Sequence, residues 1–184
     1  MRSKSHMILG QYLAGRYLMH IPQLHTRAFL LGCVQPDGNP LTYLKGSIRH
    51  QWFRGHNYPN TRRFIRKLSC RLEKKVYWTA LDYYCLGKLI HYTADAFTYA
   101  HNKDFPLNLG QHRKYEEQMQ TYFLSYLYRN PTMEIPGSCS IMESIGRFHR
   151  EYRKEAGTIQ RDCHYMLLVC CCIFTQLTIP EYST

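Results

Sequence analysis

The stretch that decides the fold spans residues 87–118 and reads GKLIHYTADAFTYAHNKDFPLNLGQHRKYEEQ. Apolar residues recur in it at three- and four-residue intervals, which predicts two helices joined by a proline-containing loop. His91 and Asp95 are four residues apart on the first helix, so their side chains share one helical face. His112 and Glu116 repeat this spacing on the second helix.

These residues are of the types that bind zinc. Imidazole nitrogen and carboxylate oxygen both suit a borderline-soft ion that has no geometric preference of its own. His101 lies six residues after Asp95, off the shared face and near the helix end, where it could turn towards a second ion. A single His/Asp pair at this spacing is commonly a surface coincidence, but two pairs with a histidine between them predict a metal site.

Helical periodicity also dominates the rest of the chain, and no strand alternation of useful length is present. The predicted helical or apolar-periodic segments are 5–19, 28–34, 61–75, 76–101, 110–128, 140–155 and 158–177. Residues 35–40 (QPDGNP) predict a loop, 41–48 predict a helical turn, and Asn60 or Thr61 is the predicted cap of the third segment. The fold class is therefore all-α, with a single domain over residues 1–184 and loops as site walls.

The chain carries 24 Lys and Arg residues against 13 Asp and Glu residues, for a formal charge of +11. A positive field of this size attracts phosphates, nucleic acids and anionic lipid surfaces. The apolar fraction of 45% is enough to bury a core, which excludes disorder as the main state. The substrate expected from this balance is anionic.

The eight cysteines include no C-x-x-C pair, and three of them, Cys170–Cys172, are adjacent. The first residues, MRSKSHMILG, lack the continuous apolar run of a signal peptide. Together these features predict free thiols in a reducing cytoplasm. No apolar run is long enough for a transmembrane segment, and residues 165–174 (YMLLVCCCIF) predict a buried helix instead.

The ligand spacing resembles that of the zinc-dependent phospholipase C family, which is related to the fungal single-strand-specific zinc nucleases. The family pattern is H-x3-D-x5-H, then about a dozen residues, then H-x3-(E/D). The matching residues here are His91, Asp95, His101, His112 and Glu116. The resemblance covers about residues 1–120 and implies the family's all-α bundle, with metals in a cleft.

The family also takes ligands from the N-terminal third of the chain: an early histidine, an aspartate in a loop and a later histidine. This sequence offers His6, Asp37 and either His56 or His50 for these roles. His56 is favoured because it follows a glycine, which permits close approach to a site, just ahead of a predicted helix.

Carried over residue by residue, the resemblance implies two to three zinc ions. The first ion would have four ligands: Asp37, His56, His91 and Asp95. Asp95 would bridge this ion to a second, which His6 also binds. The ligands of the third ion would be His101, His112 and Glu116. A free α-amino group at Met1, five residues before His6, could also reach the metal.

The implied activity is phospholipase C-type hydrolysis of phosphodiester bonds, in which a metal-activated water attacks phosphorus. Asp37 either binds metal or orients the attacking water, and both roles stay open. The alternatives are a nuclease, nucleotidase or soluble phosphate-ester hydrolase of the same fold, and a non-catalytic metal-binding protein. Glu116 favours the phospholipase, because the nuclease branch usually has aspartate there. Phospholipid and nucleotide are both candidate substrates, and the oligomeric state stays open.

The remaining histidines lack partners at ligand spacing and are interpreted as surface or core-edge residues: His20, His25, His149 and His164. Several basic residues near the predicted site in sequence are interpreted as solvated: Arg49, Arg54, Arg62, Arg63 and Lys103.

Overall fold

Seven α-helices make up the described part of a computed structural model, which comprises residues 1–38, 58–102, 109–129, 140–155 and 157–179. They are α1 (Ser3–Tyr17), α2 (Gln23–Gly38), α3 (Tyr58–Leu72), α4 (Ala80–Ala96), α5 (Leu109–Arg129), α6 (Ile141–Tyr152) and α7 (Ile159–Gln176). A 3-10 turn, Tyr99–His101, follows α4. These ranges contain no β-strand, which confirms the predicted all-α class.

The last two helices begin where side-chain caps satisfy their first backbone N–H groups. Ser140 Oγ accepts from Glu143 N at 3.3 Å, and the Glu143 carboxylate accepts from Ser140 N at 3.0 Å. Thr158 Oγ1 accepts from Arg161 N at 3.2 Å in the same way. Ser140 and Thr158, predicted as first helical residues, are therefore the caps of α6 and α7.

The loop predicted for residues 35–40 is wrong in its first part, because α2 continues to Gly38. Pro36 lies in the last turn, where the missing N–H leaves one helical carbonyl without its usual partner. Pro36 is nevertheless buried with Phe29 and Cys33, so tertiary packing outweighs the local breaker. Residues 39 and 40 and the predicted turn at 41–48 lie outside the described residues.

Helix α3 also begins earlier than predicted. Asn60 and Thr61, the predicted caps, lie inside its first turn, after Pro59. Proline suits this position because its missing N–H is one that the helix start leaves unpaired in any case. The helix ends at Leu72 rather than Lys75.

Helix α4 is shorter than the predicted segment 76–101. Its start is fixed by Asp82, whose carboxylate accepts from Thr79 N at 3.0 Å and from Thr79 Oγ1 at 2.7 Å. At its end, Phe97 N bonds to Ala94 O at 3.1 Å, so the helical pattern stops. The chain then tightens into the 3-10 turn that carries His101.

The C-terminal helix α7 lies in the core. Every residue from Met166 to Phe174 is buried, as expected for a helix that is apolar on all sides. Cys170, Cys171 and Cys172 lie within this segment. All cysteines in the described ranges are free, as the sequence predicts. Helices α4, α5 and α6 pack around α7.

Helices α2 and α4 pack backbone against backbone at two glycines. A Cβ atom on Gly32 would lie 2.2 Å from Tyr84 O, and one on Gly87 would lie 2.1 Å from Phe29 O. Both distances are shorter than a non-bonded contact allows, so only glycine fits at either position. The close approach brings Cys33 O to 2.8 Å from His91 Nδ1.

We expect Gly32→Ala to destabilise the protein by about 1–3 kcal/mol, because the added methyl group forces α2 away from α4. Urea unfolding followed by circular dichroism measures the change. The matched control is Gly15→Ala, since Gly15 is exposed on α1 with nothing within 4 Å of an added Cβ. That variant should gain about 0.5–1 kcal/mol. A Gly32→Ala protein as stable as the wild type would contradict the close crossing.

Candidate metal centre

Four predicted ligands from three helices meet in the interior. They are His6 from α1, Asp37 from α2, and His91 and Asp95 from α4, and one ligand atom of each lies within 4.8 Å of all the others. His91 Nε2 is 3.6 Å from Asp37 Oδ1 and 3.3 Å from Asp95 Oδ2. His6 Nε2 is 3.2 Å from Asp95 Oδ1. The two carboxylates and two imidazoles therefore face one common point.

His91 is held in the orientation that a metal ligand needs. Its Nδ1 lies 2.8 Å from Cys33 O, and a carbonyl oxygen accepts only from a protonated nitrogen. Nε2, which faces Asp37 and Asp95, is then the nitrogen with the free lone pair. A second hydrogen bond of this kind, on the outer ring nitrogen, is typical of histidines that bind zinc.

His6 is buried and stacked on His91, with ring centroids 3.8 Å apart. His6 Nδ1 has no hydrogen-bond partner in the described part of the chain, and His6 Nε2 faces Asp95 Oδ1 at 3.2 Å. A buried polar atom without a partner is costly, so such atoms commonly mark a site that takes a ligand or an ion. The set of neutral nitrogens and anionic oxygens around His6 fits zinc.

A second group lies beside the first and joins the 3-10 turn to α5. His101, His112 and Glu116 each bring one ligand atom to within 4.8 Å of the others. Glu116 Oε1 is 3.2 Å from His112 Nε2 and 3.6 Å from His101 Nε2. His101 Nε2 is also 3.6 Å from Asp95 Oδ1, so the two groups form one continuous site.

The Met1 α-amino group lies between the two groups. It donates to Asp95 Oδ1 at 2.8 Å, lies 3.2 Å from Glu116 Oε1 and contacts His101 Nε2. A positive charge thus stands between two carboxylates, which is the electrostatic environment that a divalent cation also favours.

His6 and His101 are kept neutral, which metal binding requires. Burial, reinforced by His91, lowers the pKa of His6 to about 4. Burial and the Met1 α-amino group lower the pKa of His101. At pH 7 both rings therefore present a lone pair rather than a second proton.

The carboxylates are kept ionised. Burial opposes the charged form of Asp95, but the Met1 α-amino group and His101 outweigh it and hold the pKa of Asp95 well below its usual range. Burial likewise opposes ionised Glu116, and hydrogen bonds from His101 and His112 still hold the pKa of Glu116 far below its usual range. The site therefore combines neutral imidazoles with anionic oxygens.

The structure thus brings together seven of the predicted ligands in two adjoining groups: His6, Asp37, His91, Asp95, His101, His112 and Glu116. His50 and His56, the two alternatives for the remaining position, lie outside the described residues. The other four histidines belong to neither group. His20 and His164 are exposed, His25 is half-buried, and His149 is buried.

Sequence reasoning missed Asp162, a buried carboxylate on α7 behind the second group. Asp162 Oδ2 accepts from Tyr99 N and from Tyr115 Oη, each at 2.7 Å. Tyr99 begins the turn that carries His101, and Tyr115 directly precedes Glu116. One carboxylate therefore ties together the two elements that carry the second group.

Asp162 also accepts from Tyr152 Oη at 2.7 Å, through Oδ1. Burial raises the pKa of Asp162 to about 6, although these hydrogen bonds favour the charged form. The sequence signal was a lone acidic residue in the first turn of a helix, which is common without any site. Only the packing of α7 against α5 and the turn shows its partners.

Two adjoining groups of histidines and carboxylates on an all-α frame define the class as a helical protein with a candidate site for divalent metal. The particular family follows from comparison: the zinc dependent phospholipase C family matches residues 5–159. The chain belongs to this family, which confirms the resemblance seen in the ligand spacing. Membership implies a zinc-dependent, phospholipase C-like hydrolase.

No curated protein and no solved structure matches the chain. Among the described residues, none of the helices has the length and apolar character needed to span a membrane.

We expect Asp162→Ala to weaken zinc binding at the second group about 10- to 100-fold, because Tyr99 N and Tyr115 Oη lose their common acceptor. Titration of zinc-depleted protein with a competing chelator measures the affinity. Asp162→Asn should recover most of the loss, because its amide oxygen still accepts from both donors.

The control is Tyr152→Phe, which removes the third donor to Asp162 and the acceptor of Asn102 Nδ2 but keeps both donors from the site elements. This variant should leave zinc affinity near that of the wild type. Equal zinc affinity in wild type and Asp162→Ala would show that Asp162 does not position the second group.

The burial of His149 leads to a separate prediction about how the stability of the protein depends on pH. Its ring stacks on Tyr58 with centroids 3.9 Å apart, and burial lowers the pKa of His149 to about 4. The unfolded chain takes up this proton near pH 6.5 and the folded protein only near pH 4, so the ring costs stability as pH falls through that window.

We expect the difference in free energy of unfolding between wild type and His149→Gln to shift by about 1–2 kcal/mol in favour of the variant from pH 7 to pH 5. Urea unfolding of zinc-depleted protein at both pH values measures it. A difference that does not change with pH would contradict a buried neutral ring. Zinc content should not change in this variant.

Proposed function

We propose that the chain is a zinc-dependent hydrolase that cleaves phosphodiester bonds of phospholipids in the manner of a phospholipase C. The observation that carries the proposal is the pair of adjoining ligand groups joined through Asp95. Family membership supports the zinc dependence and the phospholipid-type substrate.

We propose that the two ligand groups bind two to three zinc ions. Asp37, His91 and Asp95 would hold one ion, together with a residue outside the described ranges. Asp95 has its Oδ2 towards His91 and its Oδ1 towards His6, so each oxygen can serve a different ion. The second group would hold the third ion: His101, His112 and Glu116.

Bound zinc supplies Lewis acidity towards a phosphoryl oxygen and lowers the pKa of a water at the site. The chain's own residues supply the rest. Neutral His6 keeps a lone pair available at pH 7, and the hydrogen bond between His91 Nδ1 and Cys33 O directs His91 Nε2 towards the site. Ionised Asp95 and Glu116 compensate the positive charge that the ions bring into a buried site.

In addition to its place among the ligands of the first ion, Asp37 is proposed to orient the attacking water and to accept its proton. Its side chain is 13% exposed, whereas those of His91 and Asp95 are fully buried, so water reaches Asp37 more readily. Ser3 Oγ donates to Asp37 Oδ2 at 2.9 Å, which leaves Oδ1 directed towards His91 Nε2. This position at the edge of the site suits a group that handles a proton.

We expect Asp95→Asn to lose about two zinc ions per chain and to lower hydrolysis by at least about 100-fold, because the bridging charge is removed. Elemental mass spectrometry of purified protein gives the zinc content. Release of the phosphorylated headgroup from a short-chain phosphatidylcholine gives the activity. His112→Ala should lose about one ion.

His20→Ala is the control, since His20 is exposed and outside both groups, and it should keep full zinc content and activity. Full zinc content in Asp95→Asn would overturn the ligand assignment. Full zinc content in the wild type, with cleavage of nucleotides or single-stranded DNA but not of phospholipid, would replace the substrate class with that of the nuclease branch.

A further inference from the structure

Helix α3 presents a strongly basic exposed side. Residues Tyr58–Leu72 contain no Asp or Glu, and the buried side of the helix is lined by Ile65, Leu68 and Leu72. Four exposed cations follow the opposite side and are named here the basic surface: Arg62, Arg63, Arg66 and Lys67. Arg71 and Lys75 are not part of it, because both pair with Asp82, at 2.8 Å and 3.2 Å.

The basic surface borders a depression of about 540 Å³ between α3 and α6. Among the described residues, Arg62, Arg63 and Arg66 line it together with one carboxylate, Glu143. That carboxylate already accepts from Ser140 N at 3.0 Å. Three guanidinium groups around one open depression suit a phosphate group, because each guanidinium presents several N–H donors in a fixed plane.

Large apolar side chains stand exposed where α3 ends. Val76 is 72% exposed and Tyr77 is 85% exposed, and Leu81 at the start of α4 is 56% exposed. Apolar side chains next to a basic helix are typical of surfaces that lie in the interface of an anionic bilayer. A surface that binds nucleic acid presents the same kind of cations, but exposed valine and leucine side chains contribute nothing to that binding.

The orientation of α3 is fixed relative to the metal centre. Near its first turns, Phe64 meets Tyr92 edge-on with ring centroids 5.0 Å apart, and Tyr92 directly follows His91. At its other end, Arg71 pairs with Asp82 at the start of α4. The two helices are therefore antiparallel, and the basic surface begins beside the metal-bearing part of α4.

We infer that the basic surface and the exposed residues Val76, Tyr77 and Leu81 dock the protein on anionic phospholipid bilayers. The choice of a phospholipid bilayer over other polyanions as the partner rests on the proposed function. Charge complementarity supplies the attraction, and the apolar side chains insert among the headgroups. Docking and hydrolysis use different residues, so each can be lost without the other.

The test is co-sedimentation of the purified protein with phosphatidylcholine vesicles that contain or lack phosphatidylglycerol. The charge variant combines Arg63→Gln, Arg66→Gln and Lys67→Gln. At about fivefold per cation near an anionic surface, the loss of three cations should lower its partition onto anionic vesicles about 100-fold. Binding to neutral vesicles should be weak for both proteins.

The matched control removes three exposed cations from other helices and connections: Arg27→Gln, Arg129→Gln and Lys154→Gln. Its net charge equals that of the charge variant, and its partition should stay within about threefold of the wild type. Equal loss in the two triple variants would overturn the inference in favour of net charge alone. No binding of wild type to anionic vesicles would overturn it directly.

A double variant, Val76→Ser with Tyr77→Ser, separates a bilayer from a nucleic acid. It should lower vesicle binding at high salt, where the apolar contribution remains, and leave binding to a single-stranded DNA oligonucleotide unchanged. If the wild-type protein binds the DNA oligonucleotide but not the anionic vesicles, the partner of the basic surface is a nucleic acid and not a bilayer.

Hydrolysis of a water-soluble short-chain phosphatidylcholine separates this inference from the proposed function. The charge variant should keep wild-type activity on this substrate, because it needs no docking. If the wild type binds vesicles but does not hydrolyse the short-chain lipid, only the proposed function is contradicted. If the wild type hydrolyses the soluble lipid but does not bind vesicles, only the inferred docking surface is contradicted.

Discussion

The buried carboxylate of Asp95 is the constraint around which the rest of the structure is arranged. A carboxylate with no access to water is stable only if positive or donor groups surround it. The Met1 α-amino group supplies such a donor at 2.8 Å. The imidazoles that would share a bound cation with Asp95 come from α1, α4 and the 3-10 turn: His6, His91 and His101. Three separate segments of the chain must therefore converge on one point.

That convergence depends on backbone contact and on a second buried carboxylate. Gly32 and Gly87 let α2 and α4 approach closely enough for Cys33 O to orient His91. Asp162 ties Tyr99 to Tyr115 from the opposite side. The metal centre is thus held from behind by groups that do not themselves bind metal, which keeps its geometry rigid.

The helical fold separates the residues of the metal centre from the cations that attract anionic partners. The neutral imidazoles and ionised carboxylates lie in the interior, whereas the cations of α3 lie on the exposed side of a helix that contacts α4 through Phe64 and Tyr92. Further buried cations beside the Met1 α-amino group would compete with the ions for the same carboxylates. Placing the excess positive charge on the outside avoids that competition while keeping the attraction for anionic partners.

The sequence alone determined the helical class and the His91/Asp95 and His112/Glu116 pairs, because side chains four residues apart share a helical face wherever the helix lies. Asp37 was predicted as a ligand only through the family resemblance and in a loop, whereas packing carries α2 through Pro36 to place it on a helix. Asp162 was missed, because its partners come from distant parts of the chain. Periodicity records which side of a helix is buried but not which helix covers it. That choice depends on tertiary contacts such as the Gly32–Gly87 crossing, and it decided which ligands meet.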